Sequence, residues 1–411
     1  MDHQCRSCGD RRLEQCLDLG IQPVAHRLLA SAQETDKITH PLVLHVCRNC
    51  GLIQILDPIA PELLYLDYNY CFSSWKPQPH LTAELQLLKE HAHGGPVLEI
   101  GSNDGLFLQA MMDIGFQNVM GIEPNREAGR VAADRGIRTY QGLIEESLCR
   151  KLVDEHGRFH LVLARQVVEH IGDLKGFFKC IDTLLADDGF LFLDFPDLDT
   201  ALAMGDCSAV WEEHINYFTE PVMVNLMHSF GFTPRMIERY DFSGGALAIL
   251  ARRSNQPHRQ LDVTANINQA LLYSDKVQAY GDKLKNNLAG LRDNGREIVL
   301  YGVGCRACTT VNGLGLGPYI DYAVDDQLEK QNMYLPGSRL PIRPLDYTRT
   351  NNRRKVFLLA VNNENESKVT ANIRRLHGED ADAVSLFSPK DIWEQASLLT
   401  PGYIAAGQAG V

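Results

Sequence analysis

Short runs of valine, leucine, isoleucine and phenylalanine recur through the middle of the chain, in PVLEIG, NVMGIEP, HLVLAR and GFLFLDFP. Stretches with helical spacing separate them. Strands whose apolar positions run continuously, without alternating, are covered on both faces, so the pattern predicts an α/β fold with a parallel sheet between helices. The order strand, glycine turn, helix, strand returns in EIVLYGVGCRACTTVNGLG, YIDYAVDD and RKVFLLAVNN, which predicts a second, smaller Rossmann-like α/β unit. Between the two, RRSNQPHRQ marks a polar boundary, and residues 262–294 carry one long helical pattern that stops at Asp-Asn-Gly. The expected domains are 1–70, 71–258 and 259–411, with a frayed tail at GYIAAGQAGV.

The chain has 411 residues, too many for one ordinary core, which agrees with two or three domains. Its formal net charge of −12 excludes the broad basic surface that phosphate backbones or anionic lipids require. We therefore expect neither a nucleic-acid nor a membrane partner. The first residues, MDHQCRSCGD, are polar, and the longest apolar run, GGALAILA, is too short to span a bilayer. A cytoplasmic protein is expected, a monomer or weak dimer. Eleven cysteines then read as thiols or metal ligands and not as a disulfide framework.

Four of those cysteines fall in two CxxC pairs, Cys5 with Cys8 and Cys47 with Cys50, each followed by a glycine. Paired knuckles of this kind supply four thiolates to tetrahedral zinc, and four thiolates leave no open position, so the zinc is expected to be structural. A third CxxC, Cys305 and Cys308, has no partner pair nearby and is expected to be incidental.

LEIGSNDGLFL reads as strand, turn and helix start, and Gly101 and Gly105 are expected where backbone must approach a ligand. Some twenty residues on, Glu123 closes the next strand, where a carboxylate can accept both hydroxyls of a ribose. The turn lacks the dinucleotide G-x-G-x-x-G form and the lysine of a phosphate loop. It resembles the first motif of class I S-adenosylmethionine-dependent methyltransferases, E/D-x-G-x-x-x-G, on Glu99, Gly101 and Gly105. That resemblance implies Glu123 at the adenosine ribose, Asn103 and Asp104 at the methionine end, and YQGLIEE beside the adenine. Farther on, in LARQVVEHI, Gln166 and His170 stand at i and i+4 and so share one face of a turn. No N/D-P-P-Y/F sequence follows, which speaks against methylation of base amines.

Over its full length the chain resembles the three-domain sugar C-methyltransferases, which methylate C3 of nucleotide-linked 4-keto deoxysugars. The cysteine pairs, LEIGSNDG, EHINYF and KQNMYLPG carry the likeness. The resemblance implies His214 as base with Glu213 beside it. It also implies Gln166 and His170 near the transferable methyl group, and a tyrosine from the linker, Tyr70 with Tyr68 as neighbour. Trp211 and Tyr217, with Phe218, would wall the site; Asn216 and Glu212 read as structural. In the third domain Arg306, Lys330 and Arg339 would hold a nucleotide-sugar diphosphate, expected to be dTDP. The competing dinucleotide reading there rests on Asp325 and Asp326. Departures from the family pattern are Trp211 for a tyrosine, Gln166 for an asparagine, Arg306 for a lysine, PGSRLP and AVNNENE. The expected function is C3-methylation through a carbanion formed by His214. The alternative is methyl transfer to oxygen or nitrogen of another small polar metabolite, and a third is a zinc-containing binding module with no activity.

Overall fold

The computed structural model describes residues 3–65, 80–254, 259–379, 381–387 and 391–400. Tyr70 and Tyr68, expected at the active site, lie outside the described residues. Packing groups the chain into two compact units: residues 1–14, 46–197 and 213–267 form one, and residues 15–45, 198–212 and 268–411 the other. The stretch WEEH straddles that division, with Trp211 and Glu212 in the second unit and Glu213 and His214 in the first.

Three strands come first, β1 (Leu13–Pro23), β2 (Thr39–Cys47) and β3 (Ile53–Ile55). The apolar runs seen in the sequence become β4 (Val97–Ile100), β5 (Val119–Glu123), β6 (Arg138–Gln141), β7 (Phe159–Arg165) and β8 (Leu185–Pro196). β9 (Asn216–Tyr217), β10 (Phe232–Tyr240) and β11 (Ala246–Arg253) follow. Seven of these form one sheet in the order β10-β11-β8-β7-β4-β5-β6. The five from β4 to β8 are mutually parallel, and β11 and β10 add an antiparallel hairpin at one edge.

The two-sided burial that the continuous runs imply is present. In β7, Leu161 and Leu163 pack on one face against Phe107, Leu108 and Met111 of the helix Leu106–Asp113. Val162 and Ala164 face the other way, toward Phe177, Phe178 and Ile181 of the helix Leu174–Leu184. Leu163→Ala would open a cavity in this layer at a cost of about 2–5 kcal/mol. Strand order reverses beside β4, since β5 and β6 continue to one side and β7 and β8 to the other. In such sheets ligands bind at the carboxyl ends of the strands next to the reversal.

The second unit contains five parallel strands, β12 (Glu297–Tyr301), β13 (Tyr322–Val324), β14 (Ile342–Arg343), β15 (Lys355–Leu359) and β16 (Asp382–Ser385), in the order β14-β13-β12-β15-β16. The long helix expected over 262–294 is two helices, Thr264–Leu271 and Tyr273–Asp293. They meet at Leu272, whose amide is shared between the carbonyls of Asn268 at 3.3 Å and Gln269 at 3.2 Å. The second helix stops where Gly295 turns left-handed, with φ 74°, and donates to Arg292. Among the described residues no helix is long and apolar enough to cross a membrane.

Candidate active site and zinc site

The two CxxC knuckles are built alike. In each, the amide of the following glycine donates to the first cysteine's carbonyl, Gly9 to Cys5 and Gly51 to Cys47, both at 2.9 Å. Both glycines are left-handed, with φ 76° and 77°, a conformation that costs an ordinary side chain about 1 kcal/mol or more. The turns point the thiols together: Cys5 Sγ lies 3.5 Å from Cys50 Sγ and Cys8 Sγ 3.6 Å from Cys47 Sγ. All four sulfurs fall within 4.8 Å of one another. Zinc–sulfur bonds of about 2.3 Å set tetrahedral ligands ~3.8 Å apart, so the four thiols fit a structural zinc. The same knuckle presents Arg6, whose guanidinium donates to the carbonyls of Ile55 and, at 3.2 Å, Ile215. Strand β3 pairs with β9 in register Ile53 to Tyr217 and Gln54 to Asn216. The zinc end of this unit is thereby laced to the residues on either side of position 215.

At the reversal point, Gly101 and Gly105 are left-handed, with φ 70° and 73°. A β-carbon on Gly101 would lie 2.5 Å from a methyl of Val167, and one on Gly105 3.0 Å from Ile137. Protein packing therefore already demands glycine at both positions. Glu123, 6% exposed, accepts from the amide of Asn103 at 2.8 Å and from that of Asn125 at 2.7 Å, one on each carboxylate oxygen. Burial pushes its carboxyl up to about 6, with Asp104 adding to the rise and the two amides opposing it. Glu99, pushed by burial up to about 8, faces Arg165 at 3.7 Å through one oxygen while the other is buried without a hydrogen-bond partner. Asp104 is fully buried. A strand-end carboxylate with unused lone pairs, and an orphaned buried carboxylate oxygen on Glu99 in the neighbouring strand β4, form a polar surface with unmet hydrogen-bonding capacity. That surface fits the ribose hydroxyls and ammonium group of S-adenosylmethionine.

Arg165, at the end of β7, gathers three buried carboxylates: Glu84 at 2.9 Å, Glu99 at 3.7 Å and Asp194 at 4.0 Å. Gln166 follows in a left-handed conformation, φ 51°, and its amide nitrogen donates to both oxygens of Asp194 at 3.2 Å. Its donors thus face the protein. One turn later, His170 Nδ1 lies 2.7 Å from the backbone carbonyl of Glu213. A carbonyl only accepts, so this nitrogen carries the proton. The ring of His214 meets that of His170 edge-to-face, centroids 4.9 Å apart, and Tyr217 stands 6.3 Å from it. Burial first, then the neighbouring His170, holds the His214 imidazolium well below its ordinary range, so this ring is neutral near neutral pH. Asn216 donates to the carbonyl of Ile171 at 2.8 Å, and the amide of Ile215 donates to Glu169 at 2.9 Å. These bonds hold the two histidine-bearing segments side by side.

In the second unit the basic residues singled out from sequence are paired. Arg306 is buried; it donates to Ser208 at 2.7 Å and Asn362 at 3.3 Å, lies 3.6 Å from Asp206 and stacks over Phe387. Lys330 stands 3.5 Å from Asp325, and Arg339 2.9 Å from Asp36. Asp325 itself accepts from the amides of Val303 at 3.0 Å and Gln327 at 2.9 Å. Glu212 accepts from Ala25 at 2.7 Å. Cys305 and Cys308 join no cluster of three candidate metal ligands among the described residues.

Three family models match the chain in succession: a "Putative zinc binding domain" over residues 5–65, a "Methyltransferase domain" over 77–236 and a "C-methyltransferase C-terminal domain" over 241–381. The C-methyltransferase NovU of Streptomyces niveus is 27% identical over 357 residues, 82% of this chain and 85% of that protein. This chain is an S-adenosylmethionine-dependent C-methyltransferase. The ribosomal protein L11 methyltransferase of Geobacter metallireducens is 28% identical over 141 residues, 33% of this chain and 45% of its own. Among solved structures, the 1,6-didemethyltoxoflavin-N1-methyltransferase of Burkholderia thailandensis is 18% identical, matches 50% of this chain and 96% of its own, and has a TM-score of 0.39.

The methyltransferase thus brings Glu99, Asn103, Glu123, Gln166, His170, Glu213 and His214 into one unit. Trp211, Arg306, Lys330 and Arg339 fall in the other. Sequence reasoning passed over Glu84, Arg165, Asp194 and Glu169, all buried in the first unit. A charged residue inside an apolar strand run is the signal that could have exposed two of them, Arg165 and Asp194.

Proposed function

We propose that this methyltransferase acts on C3 of a nucleotide-linked 4-keto deoxysugar, and that His214 removes the proton from that carbon. The observation that carries the reading is the pairing of a buried, neutral imidazole at His214 with a second ring whose tautomer is tied to Glu213. A neutral imidazole is a competent base near neutral pH, and burial makes it more demanding of a matched acid. Loss of the C3 proton to His214 leaves an enolate on the sugar. The candidate donors for its oxygen are Tyr70, outside the described residues, His170 and Gln166. When bound, S-adenosylmethionine supplies a sulfonium methyl that the carbanion takes with the C–S bonding pair departing on sulfur. The chain's own contribution is otherwise positioning: Glu123 and Glu99 at the cofactor, and Glu213 and Asn216 on the histidine segments. Arg306, Lys330 and Arg339 remain the proposed diphosphate contacts, and an anion there would have to compete with Asp206, Asp325 and Asp36.

The test is His214→Ala with dTDP-4-keto-6-deoxyglucose as probe, alongside calorimetry with S-adenosylhomocysteine to confirm an intact fold. Methyl transfer is expected to fall by at least about 10³-fold with cofactor affinity unchanged, because the general base and its geometry go together. In heavy water the native enzyme should exchange deuterium at C3 without methyl donor. Transfer to oxygen or nitrogen would leave C3 unexchanged and sink the carbon reading.

A further inference from the structure

The helix His80–His91 opens on a histidine and carries a glutamate four residues on, so His80 and Glu84 stand on one face of its first turn. The proposed methyl transfer uses neither. His80 is 5% exposed and Glu84 is fully buried. The imidazole packs against Phe242, centroids 4.2 Å apart, and against Tyr240 at 5.7 Å. Both of its nitrogens are nevertheless buried without a hydrogen-bond partner. A neutral ring in that state leaves one donor and one acceptor unmet. Glu84 gives Oε2 to Arg165 at 2.9 Å, and its Oε1 is likewise buried without a partner. Asp194, fully buried on β8, shares the Gln166 amide nitrogen between its two oxygens at 3.2 Å, which leaves each a lone pair. His80, Glu84 and Asp194 each bring one ligand atom within 4.8 Å of the other two.

One imidazole nitrogen and two carboxylate oxygens are a donor set for a divalent first-row cation, whereas the all-thiolate knuckles select zinc. Charge points the same way. Glu84, Glu99 and Asp194 stand 2.9, 3.7 and 4.0 Å from a single guanidinium, that of Arg165. Three carboxylates around one arginine leave an excess of two buried negative charges, which a divalent cation cancels. Arg165 does not fill the place itself, since its short bond uses the other Glu84 oxygen. Ligand atoms about 2.1 Å from a cation stand roughly 3.0–3.4 Å apart, so the three close on it by less than about 2 Å, a movement that side-chain torsions supply. We propose that His80, Glu84 and Asp194 form a second metal site, which takes one divalent cation of the manganese, iron or zinc kind. The cation ties the first turn of the helix to β8, beside the Gln166 that Asp194 holds. This site is independent of the base assignment at His214.

The test uses the full chain with its knuckle zinc in place and Mn²⁺ as probe, an ion that takes oxygen and nitrogen ligands and leaves thiolates to zinc. Paramagnetic resonance should show one bound Mn²⁺ per chain, coupled to the nitrogen of a single imidazole. Mn²⁺ should also raise the thermal midpoint by several degrees. His80→Phe keeps a ring against Phe242 and removes both nitrogens. It should abolish the nitrogen coupling and the thermal shift and weaken Mn²⁺ binding by at least about 100-fold. Unchanged zinc content and S-adenosylhomocysteine affinity in that variant show that its fold is intact. Three results would overturn the proposal. The first is a wild-type chain that holds knuckle zinc alone after titration with Mn²⁺, Fe²⁺ and Zn²⁺, its excess charge met by protons. The second is bound Mn²⁺ with no nitrogen coupling. Neither of these needs a variant to fold. The third is coupling that survives His80→Phe, which would put the ion at another histidine.

Discussion

The two α/β units carry the same device and use it differently. In each, an acid at the end of the second parallel strand accepts two backbone amides, one from the glycine turn after the first and one two residues beyond the acid. In the first unit Glu123 takes Asn103 and Asn125; in the second Asp325 takes Val303 and Gln327. Around Asp325 the charge is balanced by Lys330 at 3.5 Å, and the same unit matches Glu297 with Lys355 at 3.0 Å and Asp382 with Arg296 at 2.9 Å. The first unit instead buries Glu84, Glu99, Asp104, Glu123, Glu169, Asp194 and Asp197, and among the described residues Arg165 is its one buried arginine or lysine. Asp197 meets the partly exposed Arg239 at 3.0 Å and Asp104 lies 3.8 Å from Arg135. Burial pushes the Glu84, Glu99, Glu123, Glu169 and Asp194 carboxyls upward, the pattern of a site and not of a balanced scaffold. Strand order and turn shape alone do not tell a ligand site from a scaffold; the local charge ledger does.

Zinc removal should separate the units most sharply. A structural zinc on four thiolates is worth on the order of 10–16 kcal/mol, and here it anchors the knuckle that carries Arg6. Chelation is expected to strip hydrogen-exchange protection by at least 100-fold from the amide of Ile55, which donates from the end of β3 to the carbonyl of Ile215 at 3.0 Å. Amides of Leu300 and Leu358, inside the β12–β15 pair, should keep theirs. Equal loss in both regions would show that zinc supports the whole chain and not the histidine segment.

The paired acids give the next largest contrast. Glu123→Ala removes the proposed ribose acceptor and orphans two amides, each at about 1–3 kcal/mol. S-adenosylhomocysteine affinity measured by calorimetry should fall at least 100-fold. Asp325→Ala orphans two amides as well and should lower thermal stability similarly, yet leave that affinity within a few-fold. A comparable affinity loss would dissolve the distinction.

pH sharpens it further. Glu123 is raised in the folded protein to about 6 from an ordinary 4.5. The folded state therefore binds the proton more tightly, and the stabilisation this provides is complete below pH 4.5 and lost as pH rises through 6, about 2 kcal/mol in all. Glu123→Gln should flatten that slope in denaturant titrations. Cofactor binding runs the opposite way, because ribose hydroxyls need the ionised acceptor. Affinity should be about tenfold weaker at pH 5 than at pH 7.5.

Much of this was legible in the chain. The cysteine knuckles, the glycine turn with Glu123, and the paired segments around His170 and His214 stand in local spacing that one strand, turn or helix converts directly into position. The grouping of residues 15–45 with the C-terminal unit was not, since it depends on contacts between segments far apart in sequence. Arg306 read as a free cation at a helix start; the fold gives it Asp206 and Ser208 from a distant segment.

The mildest contrast lies in backbone strain. Gln166 and Arg339 are both left-handed, with φ 51° and 61°, a conformation that costs a long side chain about 1–2 kcal/mol and a glycine almost nothing. Glycine at either position relieves that strain, so the net effect depends on what the side chain was holding. At Arg339 it holds Asp36 from a side chain 29% exposed, an interaction that solvent screens to about 0–1 kcal/mol. Arg339→Gly should therefore leave the thermal midpoint nearly unchanged or slightly raised. At Gln166 it holds both oxygens of a fully buried Asp194, and bonds to a buried carboxylate contribute about 1.5–3 kcal/mol. Gln166→Gly should lower the midpoint by several degrees despite the relief, since Asp194 then faces Arg165 at 4.0 Å with its amide donors gone. If both substitutions behave alike, the strained residue beside the cofactor turn is no more embedded than its counterpart in the balanced unit, and the asymmetry in buried charge does not extend to the backbone.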